Sequence, residues 1–238
     1  MVLGTSIVGV AAYNSILYFG LRTTTAGNGL MLNSMAPLLI VLFGKVFYRQ
    51  QLTRGQGFGL GLSFLGVLTL VLKGNWSQWQ SIAFVPGDLI VLGAAGLWAI
   101  YTLWLRQLPA DLDRLGLMGV QVALALVVLL PFTMLEHRIA PGPALGASAY
   151  AGVAYVGIFA SALAYVLYMR AVQYFGAARA GLCIHLSPLF GIVLSALLLG
   201  ERLHAYHAVG IAAIAAGIIC SGLGGGQQRM PAVLKQVH

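Results

Sequence analysis

The chain has 238 residues, of which 60% are hydrophobic and only 8% are charged, with a mean hydropathy of +0.91. A soluble domain carries roughly 25% charged residues, so this composition excludes a water-coated globular surface and points to an all-α integral membrane protein. The net charge of +8 fits a surplus of Lys and Arg in cytoplasmic loops, and no nucleic-acid partner is expected.

Crossing the hydrocarbon of a bilayer takes about 20 mostly apolar residues rising ~1.5 Å each. Runs of that kind lie near 1–21, 27–44, 56–72, 84–105, 115–135, 147–169, 180–199 and 206–224, which predicts about eight transmembrane helices. They are too long, and too lacking in apolar/polar alternation, for barrel strands of about 10 residues. No basic segment precedes the first run, and Asn14 and Ser15 interrupt it, so it reads as a retained span rather than a signal peptide. The longest loops, 73–83 and 136–146, leave no soluble domain outside the bilayer except a cytoplasmic tail over 226–238. Trp76 and Trp79 flank the first of these loops, where amphipathic rings favour the membrane interface. Pro109, Pro141 and Pro143 fall in loops, whereas Pro37, Pro131 and Pro188 fall within spans. With the N-terminus inside, Lys45, Arg49, Arg54, Arg106, Arg114, Arg170, Arg179, Arg229 and Lys235 are cytoplasmic. Arg22, Lys73, Arg138 and Arg202 are then outside, a bias of nine against four. This predicts a multi-pass protein of the cell (inner) membrane with both termini in the cytoplasm. Cys183 and Cys220 lie inside apolar runs and read as small packing residues.

A displacement of 151 residues superposes Ala26 on Ala177, Pro37 on Pro188 and Leu38 on Leu189. The same displacement superposes Leu52 on Leu203, Gly59 on Gly210 and Gly66 on Gly217. Proline and glycine are costly inside helices, so their shared register carries more weight than matched leucines. The first three helices thus match the last three, five spans apart. An odd displacement reverses the direction of each matched helix, which makes the repeat inverted, as in many secondary transporters. The expected organisation is an incomplete three-helix repeat over 1–74 and a five-helix repeat over 84–225. The fourth and fifth helices have no upstream counterpart, so a five-plus-five duplication would need two further helices before Met1.

The stretches Leu199-Gly200-Glu201-Arg202-Leu203, Ser187-Pro188-Leu189, Gly87-Asp88-Leu89 and Trp98-Ala99 with Tyr101, together with Gly210 and Gly217, resemble the EamA-type transporters of the drug/metabolite transporter superfamily. That resemblance covers nearly all of residues 5–224 and implies two inverted five-helix halves, alternating access, and export of amino acids or related metabolites. Two features depart from the pattern. The first two helices of the family are absent, and Arg49-Gln50-Gln51-Leu52 stands where the second copy has Gly200-Glu201-Arg202-Leu203.

Polar side chains inside hydrocarbon cost a few kcal/mol unless they find a partner or water, so those within spans are the site candidates. His185, two residues before Ser187-Pro188, is the one ionisable residue at mid-membrane by count. It either faces a substrate path or bonds a neighbouring helix. Asn33 and Ser34 precede Pro37 as Ile184 and His185 precede Pro188, so Ser34 and His185 should approach each other near the pseudo-twofold axis. The proline should free a backbone carbonyl there. Asn14 and Asn28 are further candidates in the first two helices. Trp98, Tyr101, Tyr165 and Tyr168 could line an amphipathic cavity through hydroxyl and indole donors, with Gln121 a weaker candidate. Helix packing accounts for each of these side chains equally well.

The acids Asp88, Asp111, Asp113, Glu136 and Glu201 all fall at span ends or in loops, which disfavours proton coupling through a central carboxylate. Glu201 reads as a structural residue near the headgroups. Glu201, His204 and His207 are spaced by three, but in an exposed loop they do not make a convincing metal site, and no metal or cofactor is expected. Asp111-x-Asp113 reads as a solvated turn. Gly57 with Gly61, and Ala213 with Gly217, are spaced for close helix approach. His-Glu-x-x-His and Gly-x-Ser-x-Gly are absent, so no catalytic residue is expected. The reading is a membrane transporter of small polar metabolites, neutral or zwitterionic ones favoured. The bilayer and a small-molecule substrate are its partners, and a homodimer is left open. A truncated subunit or scaffold, and less so an intramembrane enzyme, are the alternatives.

Overall fold

The computed structural model describes residues 1–24, 29, 32–75, 77, 85–109, 111–139, 146–187, 190 and 204–223. Asn28, Trp76, Trp79, Pro141, Pro143, Pro188, Glu201, Arg202 and the tail therefore lie outside the described residues. All regular structure among the described residues is helical, and eight longer segments carry most of it. They are α1 (Val2–Leu21), α2 (Ala36–Tyr48), α3 (Arg54–Val71), α4 (Pro86–Leu105), α5 (Arg114–Ile139), α6 (Ala147–Phe175), α7 (Ala177–Leu182) and α8 (Ala205–Leu223). Four of them, α1, α4, α5 and α6, are long and apolar enough to cross a membrane, while α2 and α8 are shorter apolar helices.

The sequence of each end explains where it falls. Thr53 and Gln56 exchange side-chain and backbone hydrogen bonds at 3.2 Å to open α3, a reciprocal cap that satisfies two otherwise orphaned N–H groups. Pro86 opens α4, where its missing N–H costs nothing. Asp88 is buried at that end. Its carboxylate accepts the Val85 N–H at 2.9 Å and the Thr24 hydroxyl. Beside it, Gly87 admits the backbone of Gly20 and Thr23, so the Gly-Asp pair docks α4 onto the end of α1. At α8, the His204 N–H donates to His207 Nδ1 at 3.0 Å. His207 thus serves that helix as a cap. Glu136, His137 and Arg138 belong to the last turn of α5, which runs to Ile139 and past the end at 135 expected from the apolar run.

The run 27–44 is not one helix. It breaks at Ser34 and Met35, and α2 starts afresh at Ala36 with Pro37 in its first turn. At its other end α2 closes through Arg49 in the left-handed conformation, φ 51. The equivalent position of the second copy is Gly200, which lies outside the described residues. Left-handed geometry costs a side-chain-bearing residue about 1–2 kcal/mol and glycine little, so the Arg49-Gln50-Gln51 departure has a local price. Arg49→Gly should raise thermal stability by about 1 kcal/mol, read as an upward shift in detergent melting temperature. An unchanged or lower melting temperature would show that Arg49 contributes contacts worth more than its strain.

The most extensive helix contact joins α3 to α8. A methyl group added at Gly59 would overlap the Gly217 carbonyl and lie 2.7 Å from Ser221 N, and one at Gly217 would lie 2.5 Å from Gly59 O. One at Gly66 would lie 2.7 Å from Gly210 O. Gly59 meets Gly217 while their repeat counterparts Gly210 and Gly66 meet each other, so the contact is isologous and the two helices run antiparallel. Ser63 and Ile214, themselves counterparts, sit fully buried at its middle. Gly57 and Gly61 do not make this seam as their spacing suggested. A methyl at Gly61 would touch nothing within 4 Å, and one at Gly57 only the Leu52 side chain.

Both copies also share an irregularity. Ser6–Ala12 in α1 and Val156–Leu163 in α6 are wide π-turns, and positions 6–12 map onto 157–163 by the same displacement. Such turns leave carbonyls that the regular ladder would have used.

Candidate functional site

In α1, the carbonyls of the π-turn are taken up by side chains. Asn14 Nδ2 donates to Val10 O at 2.9 Å and to Tyr165 Oη at 2.9 Å, and the Tyr165 hydroxyl donates to Gly9 O at 2.9 Å. Asn14 and Tyr165 are separated by 151 residues, so they are each other's repeat counterparts. In an inverted repeat, a residue that touches its own counterpart would lie on the pseudo-twofold axis.

A second such pair is His185 and Ser34. His185 Nε2 lies 2.9 Å from the Ser34 carbonyl oxygen, again across 151 residues, and Nδ1 lies 2.6 Å from Ser63 Oγ. A carbonyl can only accept, so Nε2 carries the proton, and in the neutral ring Nδ1 accepts from the Ser63 hydroxyl. The imidazole is fully buried, with both nitrogens engaged. It ties the 3₁₀ turn Cys183–His185 after α7 to α3 and to the break before α2. The Ser34 carbonyl stands just before the restart of α2 at Ala36.

The two axial pairs differ in surroundings. Asn14 and Tyr165 border a cavity of about 310 Å³, whose walls include Tyr13, Trp98, Tyr168 and Ser161. Ring centroids of Tyr13, Tyr168, Tyr165 and Tyr101 lie 4.7, 4.9, 5.3 and 5.4 Å from that of Trp98. Of the residues singled out from sequence, Asn14, Trp98, Tyr165 and Tyr168 therefore come together at the cavity. Tyr101 does not reach it. Fully buried behind Trp98, it donates to Gln121 Oε1 at 3.4 Å, and Gln121 Nε2 donates to Thr5 Oγ1 at 2.8 Å. His185, Ser34 and the half-buried Asn33 are not in the cavity wall either.

The expected donor role of the aromatics differs as well. Thr102 Oγ1 donates to Trp98 O at 2.8 Å, so the Tyr168 hydroxyl must donate to Thr102 Oγ1, 2.9 Å away. The hydroxyl protons of Tyr165 and Tyr168 are thus spent inside the protein. The Trp98 indole Nε1 is enclosed without a hydrogen-bond partner. Tyr13, Tyr18 and Ser161 were missed in the sequence. Their signal was spacing: Ser161 stands four before Tyr165 and seven before Tyr168, and Tyr18 stands four after Asn14, on shared helical faces.

One wall is thin. On α1, Gly4 packs on Trp104 and Gly9 on the Tyr101 ring, while Gln121 binds Thr5. The counterpart positions on α6, Tyr155, Ala160 and Val156, are exposed. Among the described residues no second pair of helices covers α6 as α4 and α5 cover α1.

The model of the EamA-like transporter family matches residues 1–72 and 85–223. The chain belongs to the EamA-like transporter family. It is 22% identical over 213 residues to the uncharacterized transporter YyaM of Bacillus subtilis, covering 90% of this chain and 70% of that protein. It is also 27% identical over 194 residues to a protein of Streptantibioticus cattleyicolor named a probable terminal-alkyne amino-acid exporter, covering 81% of this chain and 63% of that one. A crystal structure of a protein 19% identical in sequence has the same fold, with a TM-score of 0.77, covering 93% of this chain and 76% of the other. This EamA-like chain is therefore a multi-pass membrane protein, and it spans between 63% and 70% of the two named relatives.

Proposed function

We propose that this EamA-like protein moves small polar metabolites across the cell membrane by alternating access, as an exporter with both termini cytoplasmic. The observation that carries the reading is the cavity at Asn14 and Tyr165. The meeting of two residues 151 apart at its wall supports a cavity on the axis of an inverted repeat, which rocking of one copy against the other would expose to alternate sides. The exporter name of the Streptantibioticus relative supports amino acids and their derivatives as the substrate class. The uncovered face of α6 supports a second reading, in which this chain is one part of a larger helical assembly.

Flux through liposomes holding the purified chain tests the first reading. Saturable counterflow of a labelled solute is expected. Tyr165→Phe, which strands Gly9 O and Asn14, should slow it about tenfold, equivalent to about 1.4 kcal/mol and within the cost of an unmade hydrogen bond. Flux no greater than through empty liposomes would leave the subunit reading. For orientation, Cys183 and Cys220 are replaced and Ser77→Cys is added. An impermeant maleimide should label it in intact cells. Labelling only after permeabilisation would reverse the topology.

A further inference from the structure

We propose that the hydrogen bond between Arg114 and Gln173 is a releasable latch, which closes the cavity toward the C-terminal end of α6 and opens once in each transport cycle. The proposal rests on the transport reading and goes beyond it to the contact that would have to break.

Helix α6 is held unevenly. Ala147–Leu163 buries no residue, whereas Ala164–Phe175 buries Tyr165, Val166, Met169 and Val172 and packs on α4 and α5. Within the cavity wall, Tyr168 is the residue of α6 nearest that end. Gln173 stands five residues beyond it, about 7.5 Å along the axis. The Tyr168–Thr102 bond, the buried Met169 and Val172, and then the Arg114–Gln173 bond therefore lie between the cavity and the end of the helix. With the N-terminus inside, that end is the cytoplasmic one.

The chemistry of the bond suits one that is made and broken. Arg114 is only 5% exposed. Its Nη2 donates to Pro109 O at 3.1 Å and its Nε to Gln173 Oε1 at 3.0 Å, so both acceptors are neutral. The neighbouring Asp113 carboxylate accepts the Leu115 and Gly116 N–H groups instead. A carboxylate in place of Gln173 would resist parting, because breaking a buried ion pair leaves an uncompensated charge on each side. An amide oxygen gives a charge-assisted bond, stronger than a neutral one, yet leaves no ion behind when it departs. The two bonds of Arg114 also have separate roles. Pro109 O belongs to the turn between α4 and α5, so that bond moves with the α4–α5 pair. The bond to Gln173 is the one that crosses to α6. As α6 swings away, water entering from the same end rehydrates the guanidinium. That offsets the lost bond and keeps the two states close in free energy.

The test compares Gln173→Glu with Gln173→Met, both of which leave the bond to Pro109 untouched. Gln173 is half-buried, so a carboxylate there keeps part of its hydration while facing the Arg114 charge. Spin labels on Leu115→Cys and Tyr174→Cys, both exposed, are placed in the full chain carrying Cys183→Ala and Cys220→Ala. Pulsed electron resonance in nanodiscs then reads the separation of α5 and α6 at that end. The parent should show a short and a long distance. Gln173→Glu should enrich the short one about tenfold and slow counterflow about tenfold, with an equal or higher melting temperature. Gln173→Met should enrich the long one about tenfold. A fixed tie between helices behaves differently: neither variant would alter the distances, and flux would follow folded abundance. That result overturns the latch and leaves the transport reading standing. Should Gln173→Met fail to fold, Gln173→Glu decides alone, through slower flux without loss of stability. Distance shifts as expected in a protein whose flux is no greater than that of empty liposomes would leave a releasable contact and sink the transport reading.

Discussion

Gly59→Leu and Gly217→Leu should each abolish recovery of folded protein, while Gly61→Leu, two residues away on α3, should leave it within about 0.5 kcal/mol of the parent. The difference is geometric. At Gly59 and Gly217 the atoms that a side chain would strike are backbone carbonyl oxygens and amide nitrogens of the facing helix. Backbone cannot rotate out of the way as a side chain can, so α3 and α8 would have to separate. Overpacking costs about 1–3 kcal/mol where side chains yield, and this seam is the most extensive helix contact among the described residues. The cost should therefore reach or exceed the top of that range. The isologous contact also ranks the remaining positions. Gly66 faces the Gly210 carbonyl, whereas a methyl at Gly210 would first meet the Leu70 side chain, which can turn. Gly66→Leu should thus be worse than Gly210→Leu. Size-exclusion profiles and melting curves in one detergent would decide the matter. Equal stability of Gly59→Leu and Gly61→Leu would remove the seam from the account of the fold.

The seam shows what a sequence can reveal about this fold. Gly59, Gly66, Gly210 and Gly217 were visible as a register because glycine is tolerated in a helix only for a reason. The same logic applied to spacing alone misread Gly57 and Gly61, which face no partner helix: a methyl at Gly61 would meet nothing within 4 Å and one at Gly57 only the Leu52 side chain. Two small residues four apart permit close approach, but the partner helix decides whether it happens. The break at Ser34 was legible in part, since Pro37 advertised a freed carbonyl. That α2 would start only at Ala36, with the Ser34 carbonyl met by His185 from 151 residues away, carries no local signal.

The cavity was harder to see. Asn14 and Tyr165 obey the same displacement as Ser34 and His185, yet they share no chemistry, so no comparison of like with like would pair them. They meet beside the π-turns at Ser6–Ala12 and Val156–Leu163. Nothing in Ser6-Ile7-Val8-Gly9 or Gly157-Ile158-Phe159-Ala160 announces a wider turn, because helix width is set by what neighbouring helices demand. The hydroxyl protons illustrate the same limit. Composition counts tyrosines as donors, but only coordinates reveal that Tyr165 and Tyr168 spend theirs on Gly9 and Thr102.

His185→Ala should lower flux and folded abundance in equal proportion. From sequence, a role in the solute path and a role in helix packing were both open. The structure supplies the relevant chemistry: both ring nitrogens are engaged by Ser34 O and Ser63 Oγ, and the residue has no exposed surface. Removing the ring takes from the Ser34 carbonyl its Nε2–H donor in a dry interior, at a cost of about 1–3 kcal/mol. Ser63 suffers less, since its hydroxyl can turn to a carbonyl of its own helix, so Ser63→Ala should cost about 0.6 kcal/mol, the usual worth of an interhelical bond in a membrane. His185→Gln provides the discriminating control. Its amide can donate toward Ser34 O and accept from Ser63, which should restore most of the abundance, and flux should recover with it. Were His185→Gln to restore abundance while flux stayed low, the imidazole itself would be acting on the solute, and the solute path would have to extend from the Asn14 pair to the His185 pair along the same axis.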